Sequence, residues 1–96
     1  MNRDEYVQKL KSQIDQWNAQ AAVWEAKAKQ AQSKMQAEYD RQLGEFHKRR
    51  DAALAEMKRL QHASADAWQG MMQGADAALK SMQQAFERAR REFEKK

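Results

Sequence analysis

The chain has 96 residues, room for one domain, with no Cys, no Pro and three Gly. Its 18 basic and 14 acidic residues leave a net charge of +4, interspersed rather than gathered into the basic stripe of a nucleic-acid binder, so nucleic acid is not an expected partner. Without Cys there are no disulfides or thiolate metal sites. Without an apolar run behind the N-terminus there is no expected signal peptide or transmembrane helix, which makes the cytoplasm the expected location.

Composition sets the fold class. Eighteen of the apolar residues are Ala, and Gln, Glu, Lys, Arg and Met supply much of the rest; all are strong helix formers. The β-branched apolar residues are only Val7, Val23 and Ile14, too few to build strands. The expected class is all-α: a long helix followed by a shorter one, forming an oligomeric helical hairpin or coiled coil. Ala fills little volume, so a large core is not expected.

Helix one is expected over about 3–62, with Asn2 or Asp4 as cap and Asp4-Glu5 against its positive end. Small or apolar residues recur at Val7, Leu10, Ile14, Trp17, Ala21, Trp24, Ala28, Ala31 and Met35. The alternating steps of three and four are a heptad seam. Trp17 and Trp24 read as large knobs facing small residues of a partner helix. After Met35 the stripe passes through Tyr39, Leu43 and Phe46, an eleven-residue step that locally unwinds a supercoil. Gly44, inside that step, reads as a hinge or as a Gly tolerated within the helix. The stripe continues through Ala53, Leu54, Met57 and Leu60, with Arg50 intruding.

The stripe then changes phase. Continuing it selects a poor face through Ala67, Met71 and Gly74, whereas a shift of one residue selects Trp68, Met72, Ala75, Leu79, Met82, Phe86, Ala89 and Phe93. One residue turns a helix by about 100°, so a tight turn or kink is expected at 62–66, with Ser64 or Asp66 capping helix two over about 66–95. One continuous helix with two stutters is the competing reading. A hairpin closing at residue 64 brings Phe93 near Met35 or Tyr39 and Trp68 near Leu60, and leaves the seam from Val7 to Ala31 uncovered. An uncovered strip of that length implies a partner. Self-association through residues 7–35, as a dimer or higher homo-oligomer, is therefore expected.

No chemistry-bearing constellation accompanies this pattern. His47 and His62 lack a metal-binding helical motif, no Gly-rich phosphate loop occurs, and no Ser has a base in sequence reach. An enzyme is not expected, and no cofactor or metal is implied. Met35, Met57, Met72 and Met82 fall on the stripe, where Met is an adaptable filler; copper handling by Met and His is the lesser reading. Gly70-Met71-Met72-Gln73-Gly74 has the small-xxx-small spacing of close helix approach, or else loosens the first turns of helix two. Glu5-Lys9, Glu25-Lys29, Glu45-Arg49 and Glu87-Arg91 are acid-then-base pairs four apart that mark wet helix faces. The end of the chain combines Phe86 and Phe93 with Arg88, Arg90, Arg91, Lys95 and Lys96, diluted by Glu87, Glu92 and Glu94. It reads as a charged helix end, or as a surface for an anionic membrane.

Several segments resemble a group of small bacterial coiled-coil proteins known as stress-response proteins. They are the Tyr6-Val7-Gln8-Lys9-Leu10-Lys11 start, Ile14-Asp15-Gln16-Trp17-Asn18, Tyr39-Asp40-Arg41-Gln42-Leu43 and Ala63-Ser64-Ala65-Asp66-Ala67-Trp68. Gly70, Met71, Met72 and Gly74 depart from that pattern. The resemblance implies a soluble bacterial coiled coil linked to stress, with no activity carried by individual residues. The expected function is a non-enzymatic, self-associating scaffold or protein-binding module; the alternative is a peripheral lipid-binding helical protein.

Overall fold

A computed structural model describes residues 2–94. It contains three helices: α1 over Arg3–Lys29, α2 over Ser33–Gln61 and α3 over Ala67–Phe93. They lie side by side in a rod of 51 × 19 × 16 Å. The fold is all-α, as the composition requires. Lys95, within the expected helix two, lies outside the described residues.

Local chemistry starts α1. The Asn2 side chain accepts the Glu5 backbone N–H at 2.8 Å, and Asp4 and Glu5 occupy the first turn. Both satisfy or complement otherwise orphaned N–H groups. The second turn has similar local support: Ser64 Oγ accepts the Ala67 N–H at 3.2 Å, and the Ser64 carbonyl accepts from Trp68 at 3.2 Å. Ser64 thus supplies the side-chain bond at this turn, whereas Asp66, the residue at the cap position, makes no side-chain capping bond.

The structure differs from the expectation of one helix over 3–62. The chain breaks at 30–32: Gln30 is still right-handed helical, while Gln32 is extended at φ −65° and ψ 156°. No Pro or Gly marks this break. Its reason is tertiary. Turning here lays α1 back along α2 and α3, so the seam left uncovered by a two-helix hairpin is buried by its own chain. Burying a large apolar side chain gains about 1.5–3 kcal/mol, so several together outweigh the helical hydrogen bonds given up over three residues.

The seam assigned to contact between chains therefore lies inside one. Val7, Leu10, Ile14, Ala21, Trp24 and Ala28 are buried, and Trp17 and Ala31 pack partly buried against the same core. Met35 is the exception, half exposed at 50%. The tryptophan knobs meet aromatic rings: Trp24 stacks on Phe93 at 5.3 Å and 4°, and Trp17 on Phe86 at 5.7 Å.

Pairings across the bundle fix its topology. Tyr6 meets Asp76, Trp17 meets Phe86 and Trp24 meets Phe93, so α1 and α3 run parallel. Going forward along α2 from His47 to Arg50 goes back along α1 from Glu25 to Asn18, and going forward from Tyr39 to Arg49 goes back along α3 from Phe93 to Ser81, so α2 runs antiparallel to both. Tyr39 stacks on Phe93 at 4.1 Å, closing one end of the α2–α3 hairpin. Leu43, Phe46, Met57, Leu60, Trp68, Met82, Phe86 and Phe93 are buried, with Leu54, Met72 and Leu79 packed partly buried beside them. Among the described residues every buried side chain is apolar or a tyrosine.

Gly44 lies within α2 and is no hinge. A Cβ there would meet nothing within 4 Å. Gly44→Ala is expected to raise stability by about 1 kcal/mol by reducing the freedom of the unfolded chain; a higher urea midpoint with unchanged slope checks this. Gly74 approaches α2 rather than α1, its Cβ position lying 3.3 Å from the Glu56 carboxylate, and Gly70 faces open space.

Candidate interaction surface

Aromatic packing sits between all three helices. Trp24 contacts both Phe86, at 5.0 Å, and Phe93; Phe93 also stacks on Tyr39; Phe86 also meets Phe46 at 6.0 Å. Most of these rings are sealed. Trp17, about two turns before Trp24 on α1, is only partly buried. Its indole rests on Phe86 in a groove between α1 and α3, about 310 Å³ in volume, rimmed by Gln16, Gln20, Arg90 and Glu94. An aromatic floor with a polar rim is the anatomy of an interface hot spot. The stripe placed Trp17 on the inner face, but the polar rim was missed. Its only sequence signal is Gln16 and Gln20 flanking the indole on α1.

Polar contacts tie the ends of α1 in place. Arg3 donates to the Ala63 carbonyl at 2.6 Å, fixing the start of α1 to the second turn. Lys27 Nζ donates to the Phe93 carbonyl at 2.9 Å, satisfying an orphan acceptor at the end of α3. Tyr6 donates its hydroxyl proton to Asp76 and lies 3.4 Å from the Met72 carbonyl. Burial, then the hydrogen bond to Asp76 and its charge, push the Tyr6 phenol well above its usual value. The folded state therefore holds this proton more tightly than the unfolded state. Stability from this group is intact below about pH 10 and declines as pH rises from there toward the raised value. Melting between pH 9 and 11 should fall more steeply in the parent chain than in Tyr6→Phe; identical slopes would remove the assignment.

His47 Nε2 lies 2.6 Å from Glu25 Oε1, bent away from hydrogen-bond geometry, and the contact joins α2 to α1. Glu45 pairs with Arg49 at 2.9 Å as its spacing implies. Met57 and Met82 are buried in the core and Met71 and Met72 pack against it. No group of three His, Cys, Asp or Glu converges among the described residues. In the basic C-terminal run, Arg90 lies 3.2 Å from Glu94 and 3.9 Å from Glu87. Lys95 and Lys96 lie outside the described residues. Among the described residues no helix is long and apolar enough to cross a membrane.

Compared with known protein families, curated proteins and solved structures, the chain matches none.

Proposed function

We propose that this chain is a non-enzymatic protein-binding module whose partner contact is the α1–α3 groove. The observation that carries this reading is the half-buried Trp17 on Phe86, where ring surface reaches solvent within reach of the polar groups of Gln16, Gln20, Arg90 and Glu94. The remaining large rings lie in the core, and the ion pairs run along wet helix faces. Such pairs contribute little energy and little recognition. The partner is a protein segment that inserts an apolar side chain beside Trp17 and hydrogen-bonds to the glutamines. The likeness of its Tyr6 and Trp17 segments to bacterial coiled-coil stress-response proteins makes stressed bacterial cells the setting for a test.

A photo-activatable residue at position 20, on the rim, should yield a discrete protein adduct in such cells. Trp17→Ala, checked for retained helix content, should abolish it. A probe at the exposed Ala37 of α2 serves as the control. Adducts that form equally at 37 and 20, or that survive Trp17→Ala, would overturn the groove as the contact.

A further inference from the structure

The break at 30–32 is weakly written. Gln32 makes no side-chain capping bond and the first turn of α2 carries no acid, whereas α1 and the second turn both have side-chain caps. Gln30, Ala31 and Gln32 are all helix formers. Gln30 still holds right-handed helical angles, and Ala31 N–H bonds back to Ala28 at 3.1 Å. What keeps the chain bent is the packing of α1 on α2 and α3.

The buried stripes of α1 and α2 are in phase for a straight helix. From Ala28, the last buried residue of α1, to Tyr39, the first of α2, is eleven residues. At about 100° per residue that is three turns and about 20°. Met35 falls on the same line, yet it is 50% exposed, one of two exposed large apolar side chains among the described residues. The pairing register gives it a place. Asn18 meets Arg50 and Glu25 meets His47, pairs whose midpoints are residues 34 and 36. If two straightened chains kept this register antiparallel, the two-fold axis would pass at residue 35, and each Met35 would face its own copy.

We propose that two copies of this chain exchange α1. In the exchanged dimer α1 and α2 join into one helix of roughly 90 Å. The α1 of each chain then packs on α2 and α3 of the other, repeating the contacts seen within one chain. Domain swapping needs only that a connection adopt a second conformation while the interface is reused. Here that conformation is the one the local sequence prefers, and Met35 becomes buried at the axis. This inference stands independently of the α1–α3 groove, which is rebuilt by residues of both chains.

The experiment uses three full-length proteins measured by light scattering and small-angle scattering after refolding at millimolar concentration. The parent chain should show a fraction at twice 11.2 kDa, with a maximum dimension roughly double the 51 Å of the single bundle. Gln32→Pro should stay monomeric, because Pro matches the φ of −65° in the bent form and breaks a straight helix. Removal of residues 31–34 takes away the connection yet leaves seven residues between the stripes, about 20° short of two turns. It should be wholly dimeric. A folded, monomeric deletion variant would overturn the proposal. So would a parent chain that remains monomeric, a dimer no longer than the single bundle, or an equal dimer fraction in Gln32→Pro.

Discussion

Phe46→Ala is expected to lower stability by about 3–5 kcal/mol, the range for removing a buried aromatic ring. Phe46 is 0% exposed, sits midway along α2, and meets Phe86 of α3 at 6.0 Å. Its ring is central, so the cavity cannot close by fraying an end. For a domain of this size each kcal/mol moves the melting temperature by about 4–8 °C. A melting temperature lowered by at least ~12 °C in circular dichroism is the expected reading. A shift of a degree or two would mean that the three helices are not packed around this ring.

Trp24→Ala is expected to cost a similar ~3–5 kcal/mol, but with a different distribution. Trp24 is 3% exposed and contacts both Phe86 and Phe93, so it is the main aromatic anchor of α1 on α3. The α2–α3 hairpin keeps its own contacts through Tyr39–Phe93 and Phe46–Phe86. Hydrogen exchange in Trp24→Ala should therefore quicken first in the amides of α1, while those of α2 and α3 retain more protection. Uniform loss of protection would show that α1 is not held separately by this indole.

The helical class was legible because the composition offered little else: no Pro, scarce β-branched residues and abundant Ala. The face of α3 was legible because a one-residue shift at 62–66 separated a good stripe from a poor one, and Ser64 marked the turn. The break at 30–32 was not legible for a definite reason. Gln-Ala-Gln is a helix-forming run, and the eleven-residue step from Ala28 to Tyr39 preserves the stripe on a straight helix. Local propensity and periodicity both favoured continuity, and tertiary burial overrode them. Length alone leaves the α1 seam uncovered in a two-helix hairpin, and the fold-back at 30–32 covers it from the same chain. The groove at Trp17 was half legible. Periodicity placed the indole on the inner face, but its partial exposure depends on how closely α1 and α3 approach, which no spacing encodes.

The placement of the three tryptophans gives the molecule its own optical reporters. Trp68 lies at the end closed by the second turn, where it meets Tyr6 at 6.2 Å. Trp24 lies toward the other end, against Phe93, and Trp17 looks out through the groove. Emission from a chain retaining only Trp68 follows the docking of the start of α1. Emission from one retaining only Trp24 follows the end of α1 beside the bend. Fluorescence from two such proteins, with no added dye, separates opening at the bend from opening at the opposite pole.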